Sequence, residues 1–203
     1  MFSSLQTWLS FVKFGHTIFA LPFALAGMAV AARETHGWPG LRLFLLILAA
    51  MVCARTCAMA FNRIVDRHFD AQNPRTAGRH LPAGQVSLAG AVALCALAGA
   101  GFLAVTWFIN PLCFRLAPVA LFLVCFYSLT KRFTDFTHVW LGVALGLAPV
   151  GGWLAVRGMD VTWFEVVQMS VLGLAAGFWS GGSARISALH GPEVGRRANL
   201  GAP

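Results

Sequence analysis

Leu41–Gln85 reads LRLFLLILAAMVCARTCAMAFNRIVDRHFDAQNPRTAGRHLPAGQ, and the fold turns on how its two halves join. The first part, Leu41–Phe61, is apolar and long enough to cross a bilayer as a helix, which takes about 20 residues. The second, Asn62–Gln85, is a dense polar block. Arg55, Met59, Asn62, Asp66 and Asp70 step by four, three, four and four. If the helix continues past its apolar end, that spacing stacks them along one face. Pro74, Gly78, Pro82 and Gly84 mark the remainder of the block as loop.

Outward from this stretch, five more segments have the length and apolarity of spans: Gly15–Ala32, Val86–Ile109, Pro111–Lys131, Thr137–Val156 and Val161–Gly181. With Leu41–Phe61 they predict an all-α polytopic membrane bundle of six helices. Composition agrees. Of 203 residues, 58% are hydrophobic and 11% charged, against about 45–50% and 25% in soluble domains; mean hydropathy is +0.73. A soluble fold of this size has too little interior to hide that surface. A soluble enzyme, a disordered tail and a secreted disulfide scaffold are therefore excluded.

The formal charge of +8 reads as orientation in the membrane rather than nucleic-acid binding. Placing the N-terminus, the second and fourth loops and the C-terminal tail in the cytoplasm puts ten Lys and Arg there. Four lie outside (Arg33, Arg42, Arg115 and Arg157), and Arg55 remains within a helix. That is the expected cytoplasmic excess, and it puts the polar loop on the cytoplasmic side of an inner membrane. Five cysteines at 53, 57, 95, 113 and 125 sit singly in or beside apolar runs. They read as small buried hydrophobes rather than a zinc site or disulfide framework. The start, MFSSLQTWLSFVKFGHT, lacks the pattern of a cleaved signal peptide.

Asn62, Asp66 and Asp70 offer one amide and two carboxylates at the membrane rim. Mg²⁺ suits such a set, because it takes one or two carboxylates and fills its remaining positions with water and substrate phosphate. Arg63, Arg67, Arg75 and Arg79 surround them with forks that match phosphate oxygens. Acid for metal, base for phosphate and an apolar bundle beside both describe a site for a diphosphate-bearing lipid. The competing reading is a set of mutual salt bridges on a solvated face. Arg55 weighs against it, since an ionisable group deep in a span is costly and usually functional; its own alternative is snorkelling to the interface.

The stretch Asn62-x3-Asp66-x3-Asp70, followed by NPRTAGRHLPAG, resembles the first aspartate-rich motif of the UbiA superfamily of intramembrane aromatic prenyltransferases. The nearest branch is that of the 4-hydroxybenzoate polyprenyltransferases. KFGHTIFALPFALAGM (Lys13–Met28) and YSLTKRFTDFTHVWLGVALGLAPVGGWLAVRG (Tyr127–Gly158) are similar to the same branch. Many members have Asp where this chain has Arg63, which marks a subgroup. The resemblance implies transfer of a polyprenyl group from an allylic diphosphate to an aromatic acid, in ubiquinone or menaquinone biosynthesis. It implies that Asn62, Asp66 and Asp70 hold Mg²⁺, with Asp66 and Asp70 central to catalysis. Tyr127 and Lys131 would contact the diphosphate, with Arg67, Arg75 and Arg79 as weaker candidates. Arg55 is a guess for the acceptor carboxylate. The expected partners are the polyprenyl diphosphate, the aromatic acid and the bilayer, with no nucleic acid. A small transporter lined by Arg55, Asp66 and Asp70 is the alternative from another class.

The chain departs from the family pattern after its last apolar segment. Where the family has a second aspartate-rich motif, this chain has Ala184, Ser187, Gly191 and Gly195 with flanking residues in register. It ends at Pro203, after six predicted spans where the family fold has about nine. Residues 1–182 are therefore expected to form the prenyltransferase domain and residues 183–203 a degenerate second-motif region. The expectation is a C-terminally truncated or degraded copy, inactive as written; the alternative is a non-catalytic subunit that binds isoprenoid lipid.

Overall fold

The structure, a computed structural model, describes residues 2–34, 37–130 and 137–162, together with 165, 167, 168, 171 and 175. The chain runs as α1 (Phe2–Phe11), α2 (Phe14–Glu34), α3 (Leu41–Gln72), α4 (Leu88–Ile109), α5 (Pro111–Thr130) and α6 (Thr137–Arg157). No strand occurs among the described residues. Five of the expected spans fall on α2 to α6. The sixth, Val161–Gly181, lies mostly outside the described residues, and the region 183–203 lies wholly outside them. α1 was not foreseen as a helix of its own. By length and composition α3, α4 and α5 can cross a membrane.

α3 is a single helix of 32 residues, about 48 Å long at 1.5 Å per residue. The hydrocarbon core is about 30 Å thick, so the helix carries its polar final turns beyond the lipid. This is the continuation that the acidic spacing required. Asn73 closes it in an extended conformation. α4 then begins on Ser87, whose Oγ accepts the Gly90 N–H at 3.1 Å, a conventional N-cap.

One residue, Asn110, separates α4 from α5 and ties both to the far end of α6. Its Oδ1 accepts the Cys113 N–H at 2.7 Å and its Nδ2 donates to the Leu154 carbonyl at 3.0 Å. Pro111 follows at the first helical position, where its missing N–H costs nothing.

The bundle is built from two intimate pairs, α3 with α4 and α2 with α6. The second depends on glycine. A Cβ on Gly27 would collide with the Pro149 carbonyl, and one on Gly152 with the Ala24 carbonyl. Such backbone-to-backbone approach is how helices gain contact in lipid, where no hydrophobic force joins them. Ala31, Trp153 and Leu154 are buried beside this crossing. At the other end, Phe11 of α1 and Val12 just after it are buried against Ala60, Val86 and Ala91. Lys13, with φ of 48°, turns the chain from α1 into α2 through the left-handed region, uncommon outside glycine. Leu97, Trp107, Phe108 and Phe122 are exposed, as side chains facing lipid would be.

Candidate functional site

The last turns of α3 carry Asn62, Asp66 and Asp70 on one face, and they are enclosed by the chain itself. Asp66 is 8% exposed and Asp70 7%. The cover is the segment from Asn73 to Val86, a succession of tight turns. The Thr76 and Ala77 N–H groups donate to the Asn73 carbonyl, Arg79 N–H to Thr76, and Gln85 and Val86 N–H to His80. Gly84, at φ 69°, supplies a left-handed turn that favours glycine. The Thr76 hydroxyl donates back to the Asp70 carbonyl at 3.0 Å, joining the cover to the end of α3.

Arg79 is thereby brought over Asp70. Its Nη1 donates to Oδ1 at 2.7 Å and to Oδ2 at 2.8 Å, lying between the two carboxylate oxygens. The mutual salt bridge that competed with the metal reading is thus real at this pair. The neighbouring His80 fastens the cover to α1: its Nε2 is 2.7 Å from Ser10 Oγ, and its ring meets Phe11 edge-on at 6.1 Å. Burial, and then the positive charge of Arg63, hold the His80 imidazole below the usual histidine range.

Beside the acids lies a cavity of about 320 Å³ between α2, α3, α4, α5 and α6. Its lining is mostly aliphatic. Arg55, Asn62, Thr106, Tyr127 and Ser128 supply its polar groups. Arg55 Nε is buried without a hydrogen-bond partner, and the residue lines the cavity. Tyr127 lies within electrostatic reach of both Arg55 and Asp66, which links the cavity to the acidic face.

The structure thus assembles Arg55, Asn62, Asp66, Asp70, Arg79 and Tyr127. Arg67 and Arg75 make other contacts. Arg67 Nε donates to His68 at 3.2 Å, and Arg75 is exposed beside Asn73. Lys131 lies outside the described residues. Arg63, noted in the sequence only as one of four surrounding cations, is 7% exposed, with its Nε lacking a partner. It is within electrostatic reach of Asp66, Asp70 and Arg79. Its spacing of three and seven from the acids was the available signal, since both put it on their side of the helix.

Cys57 Sγ is 3.7 Å from Cys95 Sγ across the α3–α4 contact, and all five thiols are free.

The donor set suits Mg²⁺ as an incomplete shell. Two carboxylates and an amide share one helix face, and such an ion would draw its other oxygens from water and phosphate. Among the described residues no group of three or more His, Cys, Asp or Glu converges to hold a metal, so a purely protein-made cage is not offered. Asp70 must also exchange Arg79 for the ion.

A profile of the UbiA prenyltransferase family matches residues 20–200. A 4-hydroxybenzoate octaprenyltransferase of Methylobacillus flagellatus is 37% identical over 146 residues, which cover 71% of this chain and 47% of that protein. The chain spans about half the length of the curated relatives it matches. Among solved structures, the apo form of a UbiA homologue from Aeropyrum pernix K1 aligns with a TM-score of 0.72 at 37% identity, over 81% of this chain and 59% of that one. A UbiA homologue from Archaeoglobus fulgidus, bound to GPP and Mg²⁺, shares the fold at a TM-score of 0.65 and 21% identity, over 83% of this chain and 60% of that one.

Proposed function

The chain belongs to the UbiA prenyltransferase family, and on that footing we propose that it transfers a polyprenyl group from an allylic polyprenyl diphosphate to an aromatic acid of the 4-hydroxybenzoate type, with Mg²⁺ as cofactor, in ubiquinone or menaquinone biosynthesis. The observation that carries this reading is the junction of an enclosed acidic helix face with an aliphatic cavity that also holds Arg55 and Tyr127. An amphiphile with a polyanionic head and a hydrocarbon tail matches both halves. The name of the M. flagellatus relative and the ligands of the A. fulgidus homologue support the same substrates.

Asn62, Asp66 and Asp70 would hold Mg²⁺, which when bound neutralises charge on the departing diphosphate. Arg79 and the Tyr127 hydroxyl, with Lys131, would take diphosphate oxygens, with Arg67 and Arg75 as outer cations. Stabilising the leaving group lets the allylic C–O bond break. The aliphatic walls keep water from capturing the allylic carbon before the electron-rich ring attacks it. Arg55 would fix the acceptor by its carboxylate, as a cation among the residues lining an otherwise mostly aliphatic cavity. We assign residues 1–182 as the prenyltransferase unit, in an inner membrane with the Asn73–Val86 cover on the cytoplasmic side, consistent with the Lys and Arg bias.

A second reading, isoprenoid binding without turnover, is favoured by the small residues Ala184, Ser187, Gly191 and Gly195 at the positions of the second acidic motif. The two separate on one titration. Prenyl transfer that rises with Mg²⁺ in the native chain and is lost in Asp66→Asn supports the enzyme. Mg²⁺-dependent retention of geranyl diphosphate without product supports the binder, and a response identical in native chain and variant refutes the metal role of Asp66.

A further inference from the structure

The ion pair at the end of α3 has an unusual form. A single nitrogen, Arg79 Nη1, is 2.7 and 2.8 Å from the two oxygens of Asp70. A cation seated there occupies both carboxylate oxygens, the atoms through which Asp70 would ligate a metal ion. We propose that Arg79 is the resident counter-ion of the acidic site: it holds the metal position of Asp70 until a diphosphate arrives, then transfers its guanidinium to phosphate oxygens and opens Asp70 to the metal. The proposal rests on the prenyl-diphosphate reading and adds to it an order of events, in which metal loading is coupled to substrate head-group binding.

Three features of the structure favour an exchange rather than a fixed bridge. The partners are unequal in burial: the Arg79 side chain is 37% exposed and that of Asp70 10%. The arginine can therefore leave for solvent or a ligand while the carboxylate stays enclosed. Arg63 lies buried below with an unpartnered Nε, within reach of Arg79 as well as of the acids. As a like charge it works against Arg79 and shares the task of neutralising Asp70 once Arg79 departs. The cover also has anchors independent of the ion pair. His80 is held to Ser10 and Phe11 of α1, and Thr76 to the Asp70 carbonyl, so Arg79 can swing without unfolding the segment that carries it.

The consequence is a double lock. Metal alone meets a carboxylate already capped by a cation, and diphosphate alone meets an arginine already engaged. Together each removes the other's competitor, so the two should bind with positive coupling.

Mn²⁺, read from the loss of its free-ion electron paramagnetic resonance signal, is the probe, with the full chain in nanodiscs. Without diphosphate, Arg79→Gln should bind Mn²⁺ about tenfold more tightly than the native chain, within the span that neighbours of metal ligands usually command. Adding geranyl diphosphate should tighten Mn²⁺ binding in the native chain and do so much less in the variant. Arg79→Lys, which retains the charge but is a compact donor, should fall between them and serves if the glutamine variant fails to fold. Asp70→Asn added to Arg79→Gln should abolish the gain. Unchanged or weaker Mn²⁺ binding in the position-79 variants, with diphosphate still tightening it in the native chain, overturns the counter-ion role alone. Absence of Mn²⁺ binding in every form, with or without geranyl diphosphate, overturns the metal site and this inference together.

Discussion

Gly27, Gly151 and Gly152 allow a sharp test of the α2–α6 crossing that forms one wall of the cavity. In the structure a Cβ added at Gly152 lands on the Ala24 carbonyl, with its carbon at 3.0 Å and the Met28 nitrogen at 3.3 Å. One added at Gly27 lands on the Pro149 carbonyl, with the Pro149 Cα at 2.9 Å. These are backbone atoms, so no rotamer change relieves the overlap; the helices themselves must separate. Such overpacking costs about 1–3 kcal/mol, and alanine returns at most ~1 kcal/mol through its higher helix propensity. Gly151 is adjacent but a Cβ there meets nothing within 4 Å, so Gly151→Ala receives only the propensity gain. At about 2–4 °C per kcal/mol for chains of this size, Gly27→Ala and Gly152→Ala should unfold several degrees below the native chain. Gly151→Ala should match or exceed it. The assay is thermal unfolding of the purified protein in one detergent, followed by tryptophan fluorescence. Equal stability of Gly151→Ala and Gly152→Ala would refute the close crossing, and with it the position of the cavity wall carrying Ala24 and Gly152.

Arg55→Met should raise KM for a carboxylate-bearing acceptor roughly tenfold to a hundredfold, the value of a charged hydrogen bond of about 1.5–3 kcal/mol. It should leave KM for the prenyl diphosphate nearly unchanged; equal effects on both substrates would displace Arg55 from acceptor binding. Asn110→Ala removes the bonds to the Cys113 N–H and the Leu154 carbonyl, and should cost about 1–2 kcal/mol, read as a lower unfolding temperature. His80 makes stability pH-dependent in a definite direction. Its pKa is depressed in the fold by burial and by Arg63, so its contribution is complete above the ordinary histidine pKa of about 6.5. That contribution is lost as pH falls through the lower folded value. Unfolding temperature should drop more steeply between pH 7 and pH 5 in the native chain than in His80→Gln, and parallel curves would remove His80 as the source.

What could be read from the sequence was whatever a single helix determines. The steps from Arg55 to Asp70 specify one face whatever surrounds the helix, and α3 does run unbroken through Gln72. The spacing could not decide whether Asp70 would face metal or arginine. That depends on how the turns after Gln72 fold back on the helix to bring Arg79 to Asp70, nine positions away. The same limit hid the clasp between Ser10 and His80, separated by 70 positions. It also made Cys57 and Cys95 look isolated, because their contact exists only where α3 and α4 approach, with Gly99 meeting Cys57 at the same level. Arg63 reads in the sequence only as one of four arginines around the acids; its burial depends on packing that the helix spacing does not give.

The site avoids the cost of burying charge in lipid by a division of labour along α3. The apolar part of the helix supplies the cavity wall, while the acids lie on turns that extend past the hydrocarbon, where an ion retains access to water and phosphate. The seclusion of Asp70 comes with the Asn73–Val86 cover, and a protein cover can carry its own countercharges, as Arg79 does. A cover must also be held down. The end of α1 does this, with Phe11 and the following Val12 buried against Ala60 and Val86 and Ser10 engaging His80. The N-terminal helix, none of whose described side chains lines the cavity, is therefore a support of the acidic site. Loosening it through Phe11→Ala should expose Asp70 and weaken the Mn²⁺–diphosphate coupling before it disturbs the cavity. A variant with intact coupling but a collapsed cavity would place the support elsewhere.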